Sequence, residues 1–203
     1  MPRPFSIPPT QLQAWQIRRS HWEVDRPWCR LRRDEVELPN GQRIEDFYLF
    51  DRPDIALVLP VTPDDRVIFV RQYRHGAERI LLELPAGRVD PGEDPVVAAT
   101  RELREETGYT SDPLEPIATL YDNPVKTTHS THIFLARNAI ATQPQTLDAT
   151  EEIEVIPIPV CELWPCLQRG EICVAGSVAA VLWWLQQRSA LDQSQTEPVT
   201  VSE

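Results

Sequence analysis

The residues best placed to do chemistry are three glutamates, Glu102, Glu105 and Glu106, within the run GRVDPGEDPVVAATRELREETGY from Gly87 to Tyr109. At spacings of three and four residues their carboxylates share one face of a helix. That helix is legible in the run itself. Asp94 suits the N-cap, Pro95 suits the first helical position, and Gly108 is a left-handed terminator after Thr107. Like charges at this spacing destabilise a helix. Arg101 can offset Glu105 from four residues back, but Arg104 points elsewhere, so a further cation is needed. A hard divalent ion that prefers oxygen, Mg²⁺ or Mn²⁺, meets that need. Such an ion neutralises phosphate oxygens and acidifies a bound water. It also uses few carboxylates and leaves room for substrate phosphates. The chemistry expected is activation of water by a carboxylate-held divalent ion.

With Gly87 and Glu93 upstream of Arg101-Glu102-Leu103-Arg104-Glu105-Glu106-Thr107-Gly108-Tyr109, the run resembles the Nudix box. That box marks hydrolases of nucleoside diphosphates linked to another group. The resemblance implies that Glu102, Glu105 and Glu106 are the metal-binding glutamates and that the backbone carbonyl of Ala86 is a further ligand. It implies that Arg101 orients the glutamates and that Glu93 is closer to structural than catalytic. Gly87 and Gly108 carry a backbone reading, a tight turn or a close approach that a Cβ would hinder.

The flanks suggest a branch. Gln72-Tyr73-Arg74 followed by Glu83-Leu84-Pro85-Ala86-Gly87 is similar to the ADP-ribose pyrophosphatase branch, and Pro124 lies near that branch's marker proline. The chain departs from the pattern at Val125, where relatives often carry glycine. The expected reaction is hydrolysis of ADP-ribose to AMP and ribose 5-phosphate. A GDP-hexose or another nucleotide sugar is the nearest alternative substrate. A nucleotide sensor that does not cut is the alternative from another class, against which the intact glutamates count. Arg74 is the candidate phosphate contact and Arg71 its alternative, because successive strand residues face opposite sides. Glu83 is a further candidate for substrate binding. The resemblance also implies an acidic general base in a late loop, where Asp148, Glu151 and Glu152 all qualify, Glu151 being grouped with the catalytic residues.

These side chains need a frame. The chain has 203 residues, 41% apolar and 25% charged, enough for one cored domain with an arm. Its net charge of −11 argues against a nucleic-acid partner. No apolar run approaches the ~18 residues of a membrane span. The opening MPRPFSIPPTQLQAW lacks the apolar core of a leader, so a cytoplasmic protein is expected. Cys29, Cys161, Cys166 and Cys173 form no CxxC pair and read as reduced packing residues.

The pattern predicts irregular chain over 1–27, then strands near 28–38 and 43–50 around the Pro39-Asn40-Gly41 turn. Strands near 54–61, 66–74, 81–85, 114–121, 130–137 and 153–158 follow, with helices at 161–169 and 177–189 beside the box helix. In the last helix Ser177 reads as a cap and Val178, Val181, Leu182 and Leu185 as an apolar stripe. The fold class expected is α/β, a Nudix-type α/β/α sandwich with a mixed sheet and an N-terminal β-hairpin extension. Residues 1–50 are expected to form the arm and hairpin, 51–190 the hydrolase domain and 191–203 a disordered tail. The resemblance implies that such an arm crosses to a partner, so a homodimer is expected. Trp22, Trp28, Phe47, Tyr48 and Phe50 supply its aromatic surface.

Overall fold

Two central strands, buried along most of their length, organise the main sheet. A computed structural model describes residue 7 and residues 10–195, the side chains of 191–195 excepted. The chain divides into two compact units. One runs as far as Arg52 and includes Asn123–Thr128; the other comprises Pro53–Asp122 and the chain from His129 onward.

The first unit is an antiparallel sheet of β1 (Gln16–Arg26), β2 (Cys29–Glu37) and β3 (Arg43–Phe50), in that order. Asn40-Gly41 makes the expected β2–β3 turn. Gly41 has φ 83°, and Asn40 Oδ1 accepts the Gln42 N–H at 3.0 Å. β1 corrects the expectation that 1–27 is irregular. Its side chains are exposed almost throughout, so no buried face prints an apolar alternation. Ion pairs such as Arg18–Glu37 and Arg33–Glu23 line its seam with β2 instead. Asn123–Thr128 adds to this unit by backbone bonds, Phe50 N–H to Lys126 O at 2.8 Å and Thr128 N–H to Phe50 O at 3.1 Å. The segment carries Pro124 and the exposed Val125.

The second unit holds a mixed sheet. Its strands are β4 (Ile55–Val61), β5 (Arg66–Arg74), β6 (Arg79–Glu83), β7 (Ala86–Arg88), β9 (Leu114–Leu120), β10 (Thr131–Arg137) and β12 (Ile153–Pro159). The order is β12-β5-β4-β10-β9, with β6 on β5 and β7 on β4. β4 and β10 are parallel, and the other pairs antiparallel. A short pair, β8 (Tyr109–Thr110) and β11 (Ile140–Ala141), stands apart.

β4 is buried almost end to end, as a strand covered on both faces must be. Ala56 and Val58 meet Ala98, Ala99 and Leu103 of α1 (Pro95–Thr107). Leu57 and Leu59 belong with Leu163 and Cys166 of α2 (Val160–Gln168) and Ala180, Val181 and Trp184 of α3 (Ala175–Gln195). The result is an α/β/α sandwich with α1 on one face and α2 and α3 on the other.

Two details of α3 differ from expectation. Ser177 is not a cap. It lies inside the helix, fully buried, and its Oγ accepts the Leu84 N–H at 2.9 Å. Leu182 is half-exposed, whereas Trp184 takes the core position. The helix also continues past Leu191 to Gln195, and the rest of the expected tail lies outside the described residues. All four cysteines are free thiols. Only Cys166 among them is buried, so the packing reading holds for that residue alone.

Candidate active site

α1 forms as its sequence dictates. The Asp94 side chain accepts the Val96 N–H at 3.0 Å, Pro95 opens the helix, and Gly108 closes it at φ 73°. Gly108 is required twice over. Besides its left-handed backbone, an added Cβ there would run into the carbonyl of Gln143. Packing of Ala98, Ala99 and Leu103 on β4 fixes the rotation of the helix about its axis. Glu102 and Glu106 are thereby buried at 9% and 3% exposure, while Glu105 stays more open.

The carboxylates are then tied down one by one. Glu106 Oε2 accepts the Ala86 N–H at 3.0 Å. The Glu102 carboxylate lies so close to Gly87 that a Cβ there would occupy its place. Gly87 is therefore a close-approach glycine.

Arg101 spans the cluster. It bonds Glu93 through Nε at 3.2 Å and Nη2 at 3.1 Å, Glu102 at 2.6 Å, Glu105 at 3.4 Å and the Arg88 carbonyl at 2.9 Å. Glu93 in turn accepts the Asp90 N–H at 3.0 Å, which closes the turn before the helix. The structure thus joins the Glu93 turn, the strand after Gly87 and the α1 glutamates through one guanidinium.

Electrostatics shows what the cluster lacks. The Arg101 guanidinium holds Glu93 below the usual carboxylate range. Burial pushes Glu102 up, against the pull of Arg101. Burial, and then the charge of Glu102, push Glu106 up to about 8. Two buried carboxylates that resist ionisation call for added positive charge. A divalent cation suits this donor set, since Glu102, Glu105, Glu106 and the Ala86 backbone are all oxygen donors on adjacent elements. Among the described residues no three acidic, histidine or cysteine side chains converge into a ready-made cage.

Arg74 ends β5 on the α1 side of the sheet. It bonds Glu83 by Nε at 2.8 Å and Nη2 at 3.1 Å, and it feels the charges of Glu106 and Glu151. Arg71 lies on the opposite side, as alternation requires. It pairs with Glu154 and lines a groove of about 450 Å³ with Ile80, Leu82 and Cys173. The structure therefore groups Arg74, and not Arg71, with the box glutamates.

Of the late-loop acids, Glu151 is the one whose charge acts on Glu102, Glu106 and Arg74. Asp148, Glu151 and Glu152 are all exposed, and the Asp148 N–H donates to Glu151 at 3.0 Å. Two residues that the sequence did not single out hold this loop. Gln145 Nε2 donates to Glu106 O at 2.6 Å and to Ile153 O at 3.2 Å, and the Thr146 N–H donates to Glu105 O at 2.9 Å. They occupy carbonyls that the end of α1 leaves without helical partners. No local pattern marks Gln145, because its partner lies 39 residues away along the chain.

Comparison with known proteins agrees with this geometry. Residues 51–169 match the NUDIX domain, and residues 15–50 match the nucleoside diphosphate sugar hydrolase N-terminal domain. An ADP-ribose pyrophosphatase of Bacillus subtilis is 34% identical over 78% of this chain and 85% of its own length. A methanol dehydrogenase activator of Bacillus methanolicus is 32% identical over 80% of this chain and 87% of its own. Among solved structures, an ADP compounds hydrolase superposes with a TM-score of 0.78 at 23% identity, covering 90% of this chain and 98% of that one.

Proposed function

The chain belongs to the Nudix family as a nucleoside diphosphate sugar hydrolase, and we propose that its substrate is ADP-ribose, cut to AMP and ribose 5-phosphate with Mg²⁺. The observation that carries the substrate is the 34% identity to an ADP-ribose pyrophosphatase over 85% of that relative. The chemistry rests on the paired burial of Glu102 and Glu106 beside Arg74. When bound by Glu102, Glu105, Glu106 and the Ala86 carbonyl, Mg²⁺ supplies charge neutralisation at the diphosphate and a more acidic water.

The chain's own residues do the rest. Arg101 keeps the glutamates aligned, with Glu93 as its anchor. Arg74 binds a phosphate oxygen. Glu151, held in a loop pinned to α1, takes the proton from the attacking water. The protein works as a homodimer, a reading supported by the exposed aromatic surface of the first unit, with Trp22, Trp28, Tyr48 and Phe50 all open to solvent.

One observation favours a second substrate reading. Val125, 62% exposed, stands where the ADP-ribose branch often has glycine, a departure that leaves room for a related nucleotide sugar. The test compares kcat/KM for ADP-ribose, GDP-mannose, UDP-glucose, NADH and 8-oxo-dGTP at equal Mg²⁺. ADP-ribose leads by about tenfold or more, the discrimination that follows when a poorer substrate leaves one polar group of the pocket unpaired. A GDP-sugar in the lead would replace the substrate and keep the chemistry. Cleavage of none of the five, with Mg²⁺ or Mn²⁺, would remove the hydrolase reading for this chain.

A further inference from the structure

Glu83 stands at the end of β6 with 6% exposure, and its backbone is held on every side. It pairs with Val70 across the sheet. The next residue, Leu84, donates to the buried Ser177 Oγ, and the Pro85 carbonyl accepts the Val58 N–H at 2.9 Å. A carboxylate this buried and this rigid needs a partner of opposite charge. Arg74 is that partner. Its two bonds run in parallel, Nε to Oε1 and Nη2 to Oε2, so both carboxylate oxygens are engaged. With its side chain 8% exposed, Glu83 offers a ligand little surface.

The other half of the pair is different. The Arg74 side chain is 43% exposed. A guanidinium carries more donors than Glu83 engages, and Nη1 is outside the pair. The charge of Arg74 also sits within the field of Glu106 and Glu151.

We propose that Glu83 is a positioning residue for the phosphate contact: it clamps the Arg74 guanidinium from the buried side, so that its remaining N–H groups stand ready for a diphosphate oxygen. The inference rests on the hydrolase reading above and assigns Glu83 to Arg74 instead of to the substrate. Fixing a guanidinium in advance reduces the ordering cost of binding, because a free arginine must surrender its rotamers to each ligand. The clamp acts on affinity for the diphosphate.

The experiment is chemical rescue. Arg74→Ala removes the guanidinium but leaves the Glu83 carboxylate to receive a small one from solution. KM for ADP-ribose rises about tenfold in this variant, and guanidinium chloride at non-denaturing concentration lowers it again. In Arg74→Ala/Glu83→Gln the same addition has no effect. Glu83→Gln alone raises KM several-fold while kcat changes little. Arg74→Lys keeps the charge but cannot form the two-bond pair, and it behaves like Arg74→Ala. This variant keeps the question open to test should Glu83→Gln fail to fold.

Calorimetric binding of ADP to the same proteins gives a readout that needs no turnover. It separates failure of the clamp from failure of the hydrolase reading, which would show as absent cleavage by the parent protein. Equal rescue with and without Glu83, wild-type KM and ADP affinity in Arg74→Lys, or no defect in Arg74→Ala would each overturn the assignment.

Discussion

Single atoms decide the behaviour of the carboxylate cluster. Glu105→Gln and Glu106→Gln keep shape and helix propensity but each removes a charge. We expect kcat to fall by about 10²–10⁴-fold with an unchanged circular dichroism spectrum, as loss of a metal-held contribution implies. Near-wild-type turnover in both variants would show that this face of α1 is not the catalytic one. EDTA should abolish turnover of the parent, and added Mg²⁺ should restore it. Gly87 gives a finer probe. In Gly87→Ala the new methyl group takes the space of the Glu102 carboxylate, which is the flexible end of a side chain and can swing away. Folding should survive, with a melting temperature within a few degrees of the parent. Activity should drop by about tenfold to a hundredfold, because small misplacements of a positioned group cost that much. An active Gly87→Ala protein would mean that the position of Glu102 does not matter to the reaction.

Elements are held by polar pins that run between them. Ser177 ties α3 to the segment leading into Gly87, and the bond is buried. Ser177→Ala strands the Leu84 N–H and should cost about 1–3 kcal/mol in urea unfolding. No loss of stability would show that the N–H finds another partner. Gln145 ties the Glu151 loop to the end of α1. Gln145→Ala should lower kcat more than it raises KM, since the loop carries the proposed proton acceptor and not the proposed phosphate contact. Equal changes in both constants would count against Glu151 as the base.

At the level of the whole molecule, a homodimer is proposed. The first unit presents an exposed edge strand, β1, and a solvent-facing aromatic surface. Both are features that a soluble chain covers. Light scattering should return about twice the chain mass, as an isologous dimer requires. Deleting residues 1–50 should give an unstable protein with poor substrate binding. A fully active monomer at micromolar concentration would reject the dimer. Among the described residues no helix is long and apolar enough to cross a membrane.

The family of this protein was legible in its linear sequence because the helix that carries the motif is a local object. Its cap, its proline, its terminator and the spacing of Glu102, Glu105 and Glu106 all lie within the stretch from Gly87 to Tyr109, and local geometry follows from local residues. The strands of the sandwich were legible for a related reason, since burial on one or both faces leaves an apolar pattern. β1 left no such trace, because its side chains face solvent and its register depends on partners in β2. The rest needed the tertiary structure. Whether Arg74 or Arg71 accompanies the glutamates depends on which face of the sheet α1 covers. Among the acids of the late loop, Glu151 is drawn in by pins from Gln145 and Thr146 to the end of a helix far back in the chain. Ser177 reads as a cap locally, but its hydroxyl bonds a strand-end residue that only folding brings near. Periodicity records which way a side chain points, and it carries no information about which distant group will be waiting there.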